Sequence, residues 1–171
     1  MEYNPVRVIL QIKKIEYRYL LVPFALIIGT FVAVKFYHFT QLKLLSIFAL
    51  ILYFVIKMLF RINKIVPTEI DDSIKSVKSP INGKVVNIEN DLVTIYKNLF
   101  DRADFRAISS DYSIIKGKIF LIEKSDVQSM LTGVTPITVL CKVTLPENYN
   151  VNVKIGQRII SGITDLGIYN E

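Results

Sequence analysis

The segment INGKVVNIE at residues 81–89 returns at residues 115–123 as IKGKIFLIE. The two copies share Ile, Gly, Lys, Ile and Glu at equivalent positions, and a weaker third copy, VKIGQRI, covers residues 153–159. Each copy places a glycine before a run rich in β-branched residues, which is typical of a turn that leads into a strand. Because glycine tolerates positive φ, we expect structural turns at the three equivalent glycines, Gly83, Gly117 and Gly156.

The same sequence pattern extends beyond the repeat, from Pro67 to the C-terminus. β-branched residues alternate with polar ones, and Gly and Pro separate the runs. This pattern favours a small all-β domain over residues 65–171, of the barrel-sandwich hybrid or lipoyl-like type, in which two similar halves pack face to face. The pattern predicts strands at Ile74–Lys78, Lys84–Glu89, Leu92–Tyr96, Lys118–Glu123, Ile137–Leu145 and Arg158–Ile163, and a loop or short helical turn at Leu99–Ala107.

Two apolar segments precede the β-rich region. Tyr19–Val34 and Leu44–Ile56 contain no charged residue, and flanking residues extend each toward the roughly 20 residues of a membrane span. The short link between them predicts a helical hairpin over residues 19–64. A buried hairpin of a soluble protein is the alternative, but neither segment has a polar stripe. Residues 1–18 are expected to form a basic amphipathic arm, either at the membrane interface or in solvent.

The charge distribution separates the two regions and orients the hairpin. The 171-residue chain has 51% hydrophobic residues, a mean hydropathy of +0.41 and a net charge of +6. Nine of its Lys and Arg lie within residues 1–64 beside only two Glu, so the excess is membrane-flanking charge and indicates no nucleic-acid partner. By the positive-inside rule we expect two spans with both termini cytoplasmic, or on the equivalent side of an organelle, in a bacterial or mitochondrial inner membrane.

The order of these features resembles a known family. Two apolar segments are followed by Leu59-Phe60-Arg61, Val66-Pro67, an acidic link at Glu69–Asp72 and SPINGKVV at residues 79–86. The short bacterial and archaeal phosphatidylserine decarboxylases are similar, with two N-terminal hydrophobic helices, FFRDPxRxIP, an acidic link and SPADGKV. Two later stretches, residues 105–119 and 153–158, are similar to that family's HVNRAPVxGKV and VKxGxRxG.

The resemblance implies a chemistry that this chain does not match. The family forms its own pyruvoyl cofactor at a Gly-Ser dipeptide, with support from an Asp and a His. Here Asn82 replaces the Asp, Asp104 and Phe105 lie where the His is expected, and Ser161-Gly162 has the dipeptide order reversed. We therefore expect no catalytic residue at the degenerate positions Asn82, Asp104 and Ser161, and no pyruvoyl group.

Other residue types indicate no site. His38, the single histidine, lies in the link between the apolar segments, and Cys141 in an apolar run is expected to be a buried, inert thiol. Five acids, Asp71, Asp72, Asp101, Asp104 and Asp126, lack a cation-loop spacing, so no metal site is expected. The aromatic residues Tyr96, Phe100, Phe105, Tyr112 and Phe120 have no basic residues clustered around them in sequence and are expected in the core.

Three functional hypotheses follow. The first is a membrane-anchored, catalytically inactive decarboxylase-like protein that acts as a structural or accessory subunit of a membrane complex, with the lipid bilayer and other membrane subunits as partners. The second is an active phosphatidylserine decarboxylase with a displaced site, which would make phosphatidylethanolamine. The third is a lipoyl-like adaptor of a membrane export or assembly machine, although such adaptors usually have one span and a coiled-coil insertion.

Overall fold

The computed structural model describes residues 5–37, 43–62, 76–108, 111–125 and 130–170. Two helices come first and a β domain follows. The elements are α1 (Pro5–Tyr37), α2 (Lys43–Leu59), β1 (Ser76–Lys78), β2 (Gly83–Glu89), β3 (Leu92–Lys97), β4 (Asp104–Ile108), β5 (Asp111–Lys116), β6 (Phe120–Ser125), β7 (Met130–Val134), β8 (Val139–Thr144), β9 (Tyr149–Val151), β10 (Arg158–Ile159) and β11 (Asp165–Tyr169).

The two helices form an antiparallel hairpin. Near the link, the Ser46 hydroxyl donates to Thr30 Oγ1 at 2.8 Å, and at the open end Lys57 Nζ lies 2.6 Å from Glu16 Oε1. The described part of the predicted arm over residues 1–18 is helical, because residues from Pro5 onward belong to one continuous α1 that also contains the first apolar segment. No Gly or Pro between Pro5 and Pro23 interrupts it, so amphipathic and apolar parts join in a single helix.

One helix has the length and composition to cross a membrane. The candidate membrane span in α1 covers the 27 residues Ile9–Lys35, whereas the apolar helix Leu44–Leu59 of α2 is shorter. Both helices nevertheless leave large apolar side chains exposed, including Leu21, Phe31, Leu44 and Phe54. Their apolar faces are therefore not covered by the rest of the described chain.

The β domain consists of three antiparallel sheets among the described strands. The largest has the order β10-β2-β3-β8-β5, and the smaller two have the orders β1-β11-β9 and β4-β7-β6. A bridge between Ile81 and Phe105 links the segment before β2 to β4. The core between the sheets is built from buried aliphatic residues of all of them, among them Val85, Ile95 and Leu166. The predicted all-β domain is confirmed, but the described strands do not close into a barrel.

The repeat gives strands in different sheets rather than two matching halves. β2 begins at Gly83 in the five-stranded sheet, whereas β6 begins three residues after Gly117 in the sheet β4-β7-β6. Gly117 has φ of +104° and Gly156 has φ of +91°, as expected for turns. At Gly83 the neighbouring strand leaves no room for a side chain, because an added Cβ would collide with the Tyr96 carbonyl oxygen.

Several strands differ from the sequence prediction. Leu99–Ala107, predicted as a loop or helical turn, contains most of β4, in which Asp104, Phe105, Arg106 and Ala107 are all buried. Because both faces of β4 are covered, its polar residues are buried along with its apolar ones, and the sequence pattern did not identify the strand. The strands β5, β7, β9 and β11 were also not predicted. The predicted strand at 158–163 ends at Ile159, where Thr164 N donates to Ile160 O at 3.0 Å in a turn.

The β domain contacts the open end of the hairpin. Ala103 N donates to the Arg61 carbonyl at 2.7 Å, and Arg61 Nη2 donates to the Phe100 carbonyl at 2.9 Å. Beside this junction, Val134 of β7 packs in an apolar cluster with Ile12 of α1 and Phe60. These contacts place the loop before β4 immediately beyond the end of α2.

Candidate functional site

Three segments that are distant in sequence meet at the ends of β1, β2 and β4. Backbone hydrogen bonds join them: Arg106 N donates to Pro80 O at 2.8 Å, Ser79 N to Thr164 O at 2.9 Å, and Gly162 N to Ser79 O at 2.7 Å. The strands thereby bring together the three positions that the resemblance singles out, Asn82, Asp104 and Ser161.

The side-chain amide of Asn82 connects all three segments. Its Nδ2 donates to the carbonyl oxygens of Arg102 and Asp104, each at 3.2 Å. Its Oδ1 accepts the Ser161 amide N–H at 3.1 Å. Asn82 is 5% exposed, so these bonds satisfy a buried group that needs donors and an acceptor at once. A carboxylate here would have no N–H for the two carbonyls.

The hydroxyl of Ser161 has a structural partner. It donates to the Pro80 carbonyl at 2.9 Å, and Ser161 is fully buried. Among the described residues, neither a carboxylate nor an imidazole forms a hydrogen bond with this hydroxyl. A serine nucleophile needs a general base within hydrogen-bond reach, and the bond to a carbonyl supplies none.

The Asp104 carboxylate lies beside Arg106. Asp104 Oδ2 is 3.9 Å from Arg106 Nη2, and both side chains are buried. The Arg106 stem packs against Gly162, where φ is +70° and an added Cβ would come within 3.1 Å of Arg106 Cδ. The positive φ and this close approach both favour glycine at the position after Ser161.

A buried lysine lies under the same region. Lys97, the last residue of β3, is fully buried, and its ammonium donates to the carbonyls of Asn98 at 3.1 Å and Ile137 at 3.3 Å. Burial lowers the Lys97 pKa to about 8, although the nearby Asp101 and Asp104 act in the opposite direction. Sequence patterning did not single out Lys97, since it follows an exposed tyrosine in an otherwise ordinary strand.

The other residues considered from sequence do not join this cluster. His38, Asp71, Asp72 and Asp126 lie outside the described residues. Asp101 Oδ2 accepts the Asn98 amide N–H at 3.0 Å, and no group of three potential metal ligands occurs in the described segments. Cys141 is buried in the core, where desolvation raises its pKa to about 12, consistent with an unreactive thiol.

An open cleft of about 340 Å³ adjoins Asn82 and carries a feature that sequence reasoning missed. Three arginines line it: Arg61 from the end of α2, Arg102 from the loop before β4, and Arg158 from β10. The cleft also includes Phe100, which is 71% exposed rather than part of the core. Of the other aromatic residues expected in the core, Phe105 is buried and Tyr112 half-buried, while Tyr96 and Phe120 are exposed.

The arginines are up to about one hundred positions apart in the chain, so no local pattern could indicate their convergence. Comparison with known proteins adds no further assignment: no family model, no curated protein and no solved structure matches this chain. The site is therefore defined by its own geometry, which consists of a buried amide, a buried hydroxyl bonded to a carbonyl, and an arginine-lined cleft.

The Asn82 amide can be tested by an isosteric change. Asn82→Asp would remove the donor to two carbonyls and place a carboxylate oxygen near them, so we expect a loss of about 2–4 kcal/mol in the free energy of unfolding at neutral pH. Chemical unfolding of the full chain in detergent, followed by circular dichroism, measures this loss. Asn150→Asp, at an exposed position in β9, is the matched control, and equal stability of both variants would contradict the role assigned to Asn82.

The buried Lys97 predicts a pH dependence. Folded protein loses the Lys97 proton near pH 8, whereas the unfolded chain retains it to about 10.5, so the unfolded state binds more protons in this window and the Lys97 contribution to stability rises with pH. Replacement by Met removes this contribution. We expect the unfolding free energy of the parent to rise relative to Lys97→Met between pH 7 and pH 10.

The comparison between variants cancels the opposing effect of Cys141, whose raised pKa lowers folded stability as pH increases. Lys116→Met, at an exposed position in β5, controls for loss of a lysine. Parallel stability curves for the parent and Lys97→Met would show that the ammonium is not desolvated as described.

Proposed function

We propose that the protein is a membrane-anchored, catalytically inactive relative of the phosphatidylserine decarboxylases that serves as a structural or accessory subunit of a membrane protein complex. The observation that carries this proposal is the bonding of Asn82 and Ser161. At the positions where the resemblance expects an acid and the region of the nucleophile, both polar groups are buried and used to join segments of the β domain.

This bonding argues against the steps that form a pyruvoyl group. Self-cleavage requires a serine oxygen that loses its proton to a base and attacks the preceding carbonyl. The Ser161 hydroxyl is directed to the Pro80 carbonyl, and a neutral amide at Asn82 cannot accept a proton as a carboxylate does. The same groups instead contribute to the stability of the domain.

The exposed apolar surface of the helices supports membrane anchoring. Leu21 and Phe31 of α1 are each 66% exposed, and Leu44 of α2 is 75% exposed. Exposed apolar area of this extent is costly in water and favourable in hydrocarbon, whereas the core helix of a soluble protein would bury it. We infer that α1 and α2 both enter the bilayer as a two-span hairpin, with the β domain on the side of both termini.

The contacts between the β domain and the hairpin support an accessory role. The β domain contacts the open end of the hairpin through Arg61 and Val134, which would hold it at the membrane surface. A domain fixed in this position can present a surface to neighbouring membrane subunits. Native gel analysis after mild solubilisation should find the chain in a larger complex, and migration of the chain alone would argue against this role.

The proposed topology can be measured with single cysteines and a membrane-impermeant maleimide. Native Cys141 is buried, so its labelling background should be low. In sealed vesicles we expect Glu2→Cys and Lys116→Cys to react from the same face, and Gln41→Cys, in the link, to react only from the opposite face. Labelling of Gln41→Cys together with Lys116→Cys would exclude a two-span hairpin.

Intact mass and activity test the absence of catalysis. We expect one uncleaved chain of 19.6 kDa and no release of carbon dioxide from phosphatidylserine in detergent micelles. Asn82→Asp should restore neither self-cleavage nor activity, because members of a catalytic set act together. Two fragments, or carbon dioxide release that hydroxylamine abolishes, would instead support an active decarboxylase.

A further inference from the structure

The arginine-lined cleft has an excess of positive charge that the described chain does not neutralise. None of Arg61, Arg102 and Arg158 forms an ion pair with a described residue. The described residues that line the cleft include one acidic side chain, that of Asp101. In addition, Lys84 of β2 lies directly opposite Arg158 of β10 in the antiparallel ladder. Like charges in directly opposed positions repel each other, so this arrangement is favoured when an anion is bound nearby.

The cleft is assembled by side-chain bonds rather than left as a chance surface depression. Asn82 holds the Arg102 carbonyl and the Ser161 amide, which fixes two of its walls. The Arg61 guanidinium donates to the Phe100 carbonyl at 2.9 Å, which attaches the end of α2 to the loop before β4. The three arginines therefore reach the cleft from segments whose relative positions are set by hydrogen bonds.

We propose that this cleft binds a dianionic phosphate monoester. Guanidinium groups match phosphate oxygens with paired, charge-assisted hydrogen bonds. Three guanidinium charges against the single carboxylate of Asp101 leave an excess of two, which matches a phosphate monoester better than the single charge of a phosphodiester. A volume of about 340 Å³ suits a small ligand or a headgroup.

The position of the cleft allows the phosphate monoester to come from a lipid headgroup or from a soluble molecule. Arg61 follows the last residue of α2 by two positions, and the exposed Phe100 and Ile160 lie at the cleft. If α2 enters the bilayer, the cleft lies near the lipid headgroups, where phosphatidic acid carries a phosphate monoester. A free phosphorylated small molecule presents the same group from solution. The proposal depends on the cleft alone and not on an accessory role.

The test uses the full chain in phosphatidylcholine nanodiscs. Isothermal titration with glycerol 3-phosphate measures the free source, with dimethyl phosphate as the monoanionic comparison. For the lipid source, thermal unfolding is compared between nanodiscs that contain phosphatidic acid and nanodiscs that contain phosphatidylglycerol at equal surface charge. We expect saturable binding of glycerol 3-phosphate, or stabilisation by phosphatidic acid beyond that by phosphatidylglycerol.

Two variants locate the effect. Arg102→Gln with Arg158→Gln should reduce affinity at least ~10-fold, or abolish the preference for phosphatidic acid, because each arginine contributes charged hydrogen bonds. Lys116→Gln, on β5 at the opposite edge of the same sheet from β10, should change neither. Both arginines are exposed, and circular dichroism verifies that the double variant is folded.

The outcomes distinguish a soluble phosphate monoester, a lipid headgroup and the absence of either ligand. Binding of glycerol 3-phosphate that the double variant loses supports a soluble ligand, and a preference for phosphatidic acid that it loses supports a lipid headgroup. The proposal is overturned if neither probe exceeds its monoanionic comparison, or if the double variant binds as the parent does. Complex formation and the absence of decarboxylase activity are measured independently of these results.

Discussion

The side-chain amide of Asn82 joins three segments of the β domain. One planar group donates to the carbonyls of Arg102 and Asp104 and accepts from the amide of Ser161, so a single residue joins the starts of β2 and β4 to the turn after β10. Only a group with both donor and acceptor atoms can form all three bonds from one buried position. The adjacent cleft depends on it, because two of the cleft walls are the segments that Asn82 holds.

The same hydrogen bonds explain why the polar groups at this site are suited to a structural role. Groups that serve as nucleophile or base must keep a lone pair or proton available for a substrate. Here the Ser161 hydroxyl and the Asn82 amide are occupied by backbone groups, and Asp104 lies beside Arg106. The adjacent cleft presents three arginines, and guanidinium groups are suited to the recognition of anions.

Some of the site could be predicted from sequence, and some could not. The resemblance around residues 79–86 singled out Asn82, and a short distance in the fold connects it to Asp104 and Ser161, which had been singled out separately. The arginines were not predicted, because Arg61, Arg102 and Arg158 belong to three segments with no common motif. Lys97 was missed for a related reason, since its burial depends on β3 packing between β2 and β8 rather than on its neighbours in sequence.

The sequence by itself determined the division into an apolar helical region and a β-rich domain, because hydrophobic runs and β-branched alternation are local properties. It also identified glycine positions at which φ is positive, as at Gly117 and Gly156. Tertiary structure alone decided that β4 is a strand buried on both faces, that the two main repeat copies enter different sheets, and that three arginines share one cleft. Each of these depends on contacts between residues far apart in the chain, and the free energy of such contacts comes from packing and burial that no local pattern encodes.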